Sequence, residues 1–430
     1  MKDQRASRRF DCVVVGAGMV GAAAASLLAR SGFSVAVIEQ AEPAPFDATR
    51  PVGLRVSAFS PGSADILSEA GAWRQIERQR HSAYRRMRVE DRDEHAVLEF
   101  DAAEFGLEHL GTIVENDLVQ WSLWQSLLAM GGVELFCPDE VLEISSDRNG
   151  RSLRMASGST LECSLLVGAD GINSGIRTML GIDQDYWEYG QYGLVSVVES
   201  ETPNPGVAWQ RFLEGGPLAF LPLSDGTSSI VWSLPEAEAR RLAEIEEDSF
   251  LAELSDAVAG SEGHWPDRAV SCGPRAIFPL TMRLSKTYMA RRSVLIGDAA
   301  HAVHPLAGQG VNLGLLDAAG LVEVLIGARQ DGLDFTDDRV LEKYARWRRS
   351  EAEVMARGMH GIRGLFVPEE LGPLRRLGMG LVAGSWTAKE AFIRRATGRN
   401  RNAPALARGS SLTDLLHPTT DTQKRVRNHT

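Results

Sequence analysis

The order of apolar and polar positions predicts two short strands around a helix near the N-terminus. Residues 12–15 are a continuous apolar run, residues 22–30 are rich in Ala and Leu, and residues 34–38 form a second largely apolar run. Apolar runs of this length are typical of buried parallel strands, and a helix between them completes a βαβ unit. We therefore expect an α/β fold to begin at the N-terminus.

The turn between the first strand and the helix is rich in glycine. Gly16, Gly18 and Gly21 form the pattern G-x-G-x-x-G. In that pattern the first glycine permits a tight turn, the second lets a pyrophosphate approach the backbone, and the third lets helix and strand pack closely. Glu39 lies 18 residues after Gly21, where a carboxylate meets a ribose 2′-hydroxyl. The pattern predicts a site for FAD or NAD rather than NADP.

A second strand, turn and helix are predicted within residues 294–314. The apolar run 294–296 ends at Gly297 and Asp298, and an apolar helical pattern starts after a second glycine cluster. A carboxylate at the turn can accept hydrogen bonds from hydroxyl groups, and backbone N–H groups at a helix start attract anionic groups. This segment therefore predicts a second wall of the same cofactor site.

The rest of the chain predicts further domains. Residues 186–280 are strand-rich, residues 338–396 are helical, and residues 110–128 have the pattern of one helix. The arginines at 346–349 and 375–376 fit solvated helix faces. We expect a discontinuous dinucleotide-binding domain (8–80, 108–185 and 283–335), a β-sheet domain (81–107 and 186–282), C-terminal helices (336–398) and a flexible tail (399–430).

Composition excludes several classes of protein. The net charge of the 430 residues is −11 without a basic block in the body of the chain, which argues against a nucleic-acid partner. The four cysteines are widely separated, as in proteins of a reducing cytosol. The start of the chain lacks the pattern of a cleaved signal peptide. The longest apolar stretch near the start, 19–29, falls far short of the ~20 residues of a membrane span, and we expect a cytoplasmic protein with no segment integral to a membrane.

Three separated motifs together resemble the class A flavoprotein monooxygenases. They are the glycine motif at 16–21, the sequence VGADG at 167–171, and Gly297 with Asp298. Further stretches look like the ubiquinone-biosynthesis hydroxylases of bacteria, the 2-polyprenylphenol and polyprenyl-methoxy-benzoquinol hydroxylases; these stretches are 55–60, 110–116, 220–223 and 304–314. The resemblance covers residues 10–398.

The resemblance implies a fold and an activity. The fold is a discontinuous, Rossmann-like FAD-binding domain of the para-hydroxybenzoate-hydroxylase type, with an inserted β-sheet substrate lobe and a C-terminal helical region. In this family NAD(P)H reduces FAD, O2 gives a flavin hydroperoxide, and a hydroxyl group is transferred to an electron-rich ring. The implied substrate is a polyprenylated phenol or quinol. The implied partners are a ubiquinone-biosynthesis complex and, by peripheral contact, the inner face of the membrane.

The resemblance also implies roles for single residues. The FAD pyrophosphate and ribose are expected at Gly16, Gly18, Gly21 and Glu39, with Arg55 near the phosphates. Gly297 and Asp298 are expected at the ribityl chain or pyrophosphate, and Asp170, in a pattern shared with Arg177, at FAD and in NAD(P)H use. Backbone N–H groups of Gly310, Val311 and Asn312 are expected at the isoalloxazine edge. His304 and Pro305 are expected to face the substrate beside the flavin, as the candidate catalytic residues.

Several residues have a plainer interpretation. Asp170 can be a turn-former after a strand, and Asn116 can cap the helix that follows it. His301 and His304 have a spacing that suggests a metal, but no further ligands accompany them; we expect no metal, and we expect His301 to orient the loop. The aromatic residues at strand spacing in the β lobe, Trp209, Phe212, Phe220 and Trp232, fit a core position.

Two other functions stay open at this point. A hydroxylase of a small soluble aromatic acid would need a cation for the carboxylate, and the β lobe offers Arg211, Arg275 and Arg283. A flavin-bound subunit that supports a biosynthetic complex without chemistry is the other alternative.

Overall fold

The computed structural model describes residues 8–92, 97–146, 150–260, 265–302, 310–366 and 372–418. The strands are β1 (Arg8–Val15), β2 (Val35–Ile38), β3 (Val56–Phe59), β4 (Ser82–Tyr84), β5 (Arg86–Asp91), β6 (Val97–Asp101), β7 (Gly111–Glu115), β8 (Val133–Phe136), β9 (Val141–Ser146), β10 (Arg151–Met155), β11 (Thr160–Gly168), β12 (Gln184–Ser200), β13 (Val207–Leu213), β14 (Gly216–Pro222), β15 (Ser228–Pro235), β16 (Ala269–Cys272), β17 (Ala276–Ser285), β18 (Met289–Ala290), β19 (Ser293–Leu295) and β20 (His301–Ala302).

The helices follow the same chain order. They are α1 (Met19–Arg30), α2 (Pro61–Glu69), α3 (Trp73–Glu77), α4 (Asn116–Leu128), α5 (Gly175–Met179), α6 (Glu236–Glu244), α7 (Glu247–Val258), α8 (Gly310–Gln330), α9 (Asp338–Phe366), α10 (Gly372–Gly384), α11 (Trp386–Ala396) and α12 (Leu412–Leu416). Short 3-10 helices span Ala102–Phe105, Gly297–Ala299 and Leu406–Arg408.

The N-terminal βαβ unit lies in an eight-stranded sheet. Its order is β18-β19-β11-β1-β2-β8, with β10 and β9 attached beside β11. The pairs β1–β11, β1–β2, β11–β19 and β2–β8 are parallel. Helices cover this sheet, and the strand residues 12–15 are buried on both faces, as parallel strands require. The carboxyl ends of five parallel strands therefore meet at one edge.

A nine-stranded, mostly antiparallel sheet forms the β lobe. Its order is β20-β17-β12-β15-β14-β13-β5-β6, with β16 beside β12. One face packs against α6 and α7 in an apolar core that includes Trp209, Phe220 and Trp232. Phe212 is buried in a separate apolar cluster. The prediction that these aromatic residues are core residues is confirmed.

A three-stranded sheet, β3-β7-β4, corrects one prediction. The prediction of a single helix over 110–128 is wrong at its start, since residues 111–115 are strand β7 and the helix begins at Asn116. Thr112, Ile113 and Val114 are a β-branched run that pairs with β3, and such residues favour strands. Asn116 is the first residue of α4 rather than its cap, which is Glu115. The Asn116 side chain accepts a hydrogen bond from Ser57 Oγ at 2.7 Å.

Helix α8 runs through the core of the molecule. Among the described residues it is the one helix long and apolar enough to cross a membrane, but most of its length is buried in the protein. Its neighbours α1, α2 and α9 contact it from several sides. Burial inside the protein accounts for its apolar sequence.

The C-terminal segment differs from the expected flexible tail. For residues 399–418 that prediction is wrong, because the chain returns to the nucleotide-binding sheet and its helices. Leu406, Ala407 and Leu412 belong to the main apolar core, and the Ala405 N–H donates to Glu323 of α8 at 2.7 Å. The prediction failed because the segment is polar overall, while a few apolar residues within it pack in the core. Residues 419–430 lie outside the described residues.

Candidate cofactor site

Three loops meet at the carboxyl edge of the parallel sheet. They follow the neighbouring strands β1, β11 and β19 and begin at Gly16, Ala169 and Ile296. Gly16 has φ +98°, and a Cβ built there would lie 2.4 Å from the carbonyl oxygen of Ala169. Only glycine fits such a close approach of two backbones at positive φ. The strand order thus brings the glycine motif against the 167–171 motif.

The start of α1 has the geometry of a pyrophosphate cradle. A Cβ built at Gly21 would lie 2.0 Å from the Gly16 carbonyl oxygen, whereas one built at Gly18 has no atom within 4 Å. Gly18 is the N-cap residue of α1. No side chain accepts a hydrogen bond from the N–H groups at the start of this helix, and its first turn contains no acidic residue. The free N–H groups and the open space at Gly18 fit a bound pyrophosphate.

Glu39 lies at the end of β2, beside the glycine motif. Its Oε2 atom accepts a hydrogen bond from the Ala17 N–H at 2.5 Å, and its Oε1 atom accepts from the Gln40 N–H at 2.8 Å. The carboxylate is therefore held at the rim of the cradle. Its position, bonded to the residue before Gly18, fits the ribose next to a pyrophosphate.

Asp170 takes part in a structural turn. Its carboxylate accepts from Ser174 Oγ at 2.5 Å and from the Ile176 N–H at 3.0 Å, so it caps the start of α5. Arg177 of α5 donates to the Ala299 carbonyl at 3.1 Å and thereby links this turn to the Gly297 turn. The plainer interpretation of Asp170, a turn residue, accounts for both of these hydrogen bonds to its carboxylate.

The Gly297 turn packs directly on α1. Gly297 has φ +58°, and a Cβ at Gly314 of α8 would lie 2.6 Å from the Val20 side chain and 3.1 Å from the Gly297 Cα atom. Asp298, the next residue, is exposed to solvent. Loss of hydration beside the surrounding protein raises the pKa of the Asp298 carboxyl, while the nearby charges of His301 and Arg55 lower it. Arg55 and Asp298, 243 residues apart in the chain, are thus electrostatic neighbours.

Gly310, Val311 and Asn312 form the first turn of α8. The Asn312 side chain has its own partners: it donates to the Ala58 carbonyl at 2.7 Å and accepts from the Ser60 N–H at 2.9 Å. It therefore ties α8 to β3, a role that the sequence did not reveal. The candidate catalytic residues His304 and Pro305 lie outside the described residues.

A buried charged network beneath the site was missed by the sequence analysis. His301 Nε2 lies 2.5 Å from Asp317 Oδ2, and Arg348 Nε donates to Asp317 Oδ1 at 2.8 Å. All three side chains are at most 1% exposed. The prediction of solvated helix faces is therefore wrong for Arg348 and also for Arg375, which is buried against Asp91 at 2.9 Å. The available signal for Asp317 was an acid within the apolar first half of α8.

The three candidate arginines of the β lobe each donate hydrogen bonds to backbone carbonyl groups. Arg211 donates to the Ala259 carbonyl at 2.6 Å, and Arg275 donates to the carbonyls of Leu242 and Ile245 at 2.7 and 2.5 Å. Arg283 donates to the Ile172 carbonyl and the Asn173 side chain. This pattern does not favour a carboxylate-binding role. In the part of the chain that the structure describes, no group of His, Cys, Asp or Glu has the arrangement of a metal site.

Comparison with known structures supports the architecture. p-Nitrophenol 4-monooxygenase PnpA from Pseudomonas putida DLL-E4 aligns with a TM-score of 0.73 at 18% identity, over 92% of this chain and 99% of that chain. PqsL, a probable FAD-dependent monooxygenase from Pseudomonas aeruginosa, aligns with a TM-score of 0.72 at 23% identity, over 87% of this chain and 100% of that one. The predicted fold class is confirmed.

Comparison of sequences identifies the family. Residues 9–358 match the family described as "FAD binding domain". The chain is 38% identical over 351 residues to the 3-demethoxyubiquinol 3-hydroxylase of Escherichia coli (strain K12), covering 81% of this chain and 88% of that protein. It is 36% identical over 375 residues to "Ubiquinone biosynthesis monooxygenase COQ6, mitochondrial" of Homo sapiens, covering 76% and 78%. The chain therefore belongs to the FAD-binding-domain family, among the ubiquinone-biosynthesis hydroxylases, and is an FAD-dependent monooxygenase.

Proposed function

We propose that this enzyme hydroxylates the aromatic ring of a polyprenylated phenol or quinol in ubiquinone biosynthesis. The reaction consumes O2, NAD(P)H and a proton; one oxygen atom enters a ring C–H bond as a hydroxyl group, and the other leaves as water. The observation that carries the proposal is the meeting of the three motif loops at one sheet edge, in a chain related to 3-demethoxyubiquinol 3-hydroxylase. Bound FAD supplies the electron transfer and the oxygen activation.

We propose that FAD lies across this edge. The open cradle at Gly18 and the uncapped start of α1 support the pyrophosphate position, and Glu39 at its rim supports the ribose position. Arg55, Gly297 and Asp298 would follow along the cofactor. Backbone N–H groups of the first α8 turn, residues 310–312, would face the ring system and stabilise negative charge there. Gly16 and Gly21 would shape the cradle, and Asp170 would support it from the neighbouring loop.

An apolar cluster supports a ring-binding wall next to this edge. We define the motif cluster as Ala58, Ile113, Leu221 and Leu223, all buried and in mutual contact through one core. Its members come from three of the separated stretches on which the family resemblance rests. A dry, apolar wall is what an isoprenoid-bearing ring requires.

The activity is tested with the purified protein and a short-chain prenylphenol. We expect flavin absorbance, NAD(P)H oxidation that the prenylphenol stimulates, and a product heavier by one oxygen atom. Benzoates serve as the control substrates, since the lobe arginines are already bound to carbonyl groups. Stimulation by benzoates alone would support the soluble-acid alternative, and bound FAD without any turnover would support a non-catalytic subunit.

We also propose peripheral contact with the cytoplasmic face of a lipid bilayer through α10. Leu374, Leu377 and Leu381 occupy one face of this helix and are 54%, 60% and 64% exposed. Met379, on the opposite face, packs in the same core as the motif cluster. One helix thus connects an exposed leucine face to the proposed ring-binding wall, which suits a substrate that must leave a membrane.

Vesicle co-sedimentation tests this contact. Phosphatidylcholine vesicles, with and without phosphatidylglycerol, should retain the wild-type protein. Leu377→Glu combined with Leu381→Glu should reduce retention at least tenfold. Leu333→Glu is the matched control, because Leu333 is 56% exposed outside α10. No retention by either vesicle type would contradict a lipid contact and leave the face to a protein of a biosynthetic complex.

A further inference from the structure

Asp317 is the centre of the buried network beneath the cofactor edge. Its Oδ2 atom accepts from the Gly297 N–H at 3.1 Å and lies 2.5 Å from His301 Nε2. Its Oδ1 atom accepts from Arg348 Nε at 2.8 Å. One carboxylate therefore joins three elements: the turn after β19, strand β20 and helix α9.

The charge of Asp317 is compensated inside the protein. Burial raises the pKa of its carboxyl. The charges and hydrogen bonds of His301 and Arg348 together lower the pKa by more than burial raises it, so that the pKa lies below its usual value. Tyr288 and Tyr344 also face the network, and Tyr344 donates to the Leu295 carbonyl at 2.9 Å. The carboxylate is thus ionised and fully engaged. Such a group fixes the positions of its partners, because any other arrangement would leave a buried charge without hydrogen bonds, which costs free energy.

The hydrogen bond from Gly297 connects this network to the cofactor edge. Gly297 has φ +58° and packs on Val20 of α1, just beyond the pyrophosphate cradle. The residue after it is Asp298, whose carboxylate we place on FAD. The orientation of Asp298 therefore depends on a backbone N–H group that Asp317 holds.

We infer that Asp317 is a positioning residue of the FAD site: through the Gly297 N–H and His301 it holds the turn that presents Asp298 to the cofactor. Asp317 itself does not touch the cofactor. This inference rests on the proposed placement of FAD at Asp298. It names a determinant of cofactor affinity on α8, outside the glycine motif.

If Asp317 only stabilised the fold, its loss would affect FAD binding no more than the loss of another buried carboxylate. A second buried ion pair provides that comparison. Asp91 and Arg375 form a pair at 2.9 Å in which both side chains are 0% exposed. Asp91 ends β5, which lies near the opposite end of the nine-stranded sheet from β20, the strand that carries His301. Asp91→Asn is therefore a control that removes a comparably buried carboxylate charge without touching the Gly297 turn.

The experiment compares Asp317→Asn with Asp91→Asn as flavin-free proteins. The melting temperature of each apoprotein is measured first. The Kd for FAD is then measured from the quenching of flavin fluorescence, at a temperature at which both variants are folded. We expect both variants to melt earlier than wild type. Only Asp317→Asn should raise the Kd for FAD, by tenfold or more, and Asp91→Asn should stay within twofold of wild type.

Two further variants keep the test decisive. If Asp317→Asn does not fold, Arg348→Lys retains a cation beside the ionised carboxylate and should raise the Kd less than tenfold but measurably. Asp298→Ala tests the site itself: an unchanged Kd there would overturn the placement of FAD. A raised Kd for Asp298→Ala with an unchanged Kd for folded Asp317→Asn, or equal effects of Asp317→Asn and Asp91→Asn, would overturn the positioning role alone.

Discussion

At the scale of single residues, two glycines of the G-x-G-x-x-G motif have different roles, one in packing and one in cofactor binding. Gly21 is needed for packing, since a Cβ there would lie 2.0 Å from the Gly16 carbonyl oxygen. Gly18 is needed only for what approaches it from outside, since a Cβ there would meet no atom within 4 Å. Substitution should therefore separate folding from cofactor binding.

We expect Gly18→Ala to fold and to lose FAD. The substitution removes a favourable N-cap residue, which costs about 1 kcal/mol or less of stability, but the added methyl group occupies the cradle. The Kd for FAD should rise at least ~10-fold, or about 1.4 kcal/mol. Gly21→Ala should instead reduce soluble yield or lower the melting temperature sharply. Thermal melts measure the effect on stability, and FAD titrations measure the Kd. Equal effects of the two substitutions would contradict the separate roles of Gly18 and Gly21.

The cysteines provide another test at this scale. Burial raises the pKa of the Cys163 thiol to about 12 and that of the Cys12 thiol well above its usual value. Thiolates are the reactive form, so an aromatic disulfide reagent at pH 8 should leave both unmodified in the native protein. All four thiols should react after denaturation. Cys163→Ser should lower the denatured count by one and leave the native count unchanged; a lower native count would show that Cys163 is accessible.

At the scale of elements, the sequence predicted what local patterns determine. The βαβ unit and the turn at Gly297 follow from apolar runs and glycine spacing within short windows. Asp317 and Arg348 could not be predicted in the same way, because they lie 31 residues apart and only the packing of α9 on α8 makes them partners. Strand β7 was missed for a similar reason: its β-branched residues merge with the apolar pattern of α4, and only its pairing with β3 defines it.

The C-terminal segment should contribute measurably to stability. A chain ending at residue 398 loses Leu406 and Leu412 from the core; each buried leucine contributes about 1.5–3 kcal/mol. We expect the free energy of unfolding to fall by about 3–6 kcal/mol, measured by urea denaturation of the flavin-free protein. A chain ending at residue 418, which keeps both leucines, is the control. Equal stability of the shorter chain and the control would contradict the packing described above.

At the scale of the whole molecule, the proposed FAD site draws on segments from across the chain. The glycine motif, Glu39, Asp170 and the Gly297 turn are far apart in the chain, and the sheet order brings them together. A ligand that binds this edge should therefore stabilise the assembled protein and not the unfolded chain.

We expect FAD to raise the melting temperature in a concentration-dependent way. One-site linkage gives about 2.7 kcal/mol at a free FAD concentration of 100 times the Kd. FMN lacks the adenosine half that the glycine motif and Glu39 would bind, so it should stabilise much less. Differential scanning fluorimetry with both flavins measures this, and an equal effect of FMN would argue against a pyrophosphate at Gly18.

The order of strands in the parallel sheet has a consequence for synthesis on the ribosome. β1 is the first strand made, yet its neighbour β11 ends at Gly168 and the next strand, β19, ends at Leu295. Leu406 and Leu412 then join the same core. The first βαβ unit therefore has an unpaired β1 edge until residue 168 has been made, and the enlarged sheet has an unpaired β11 edge until residue 295 has been made; unpaired edges invite association. Completion of the cofactor edge consequently waits for the Gly297 turn, which is made more than 250 residues after the glycine motif.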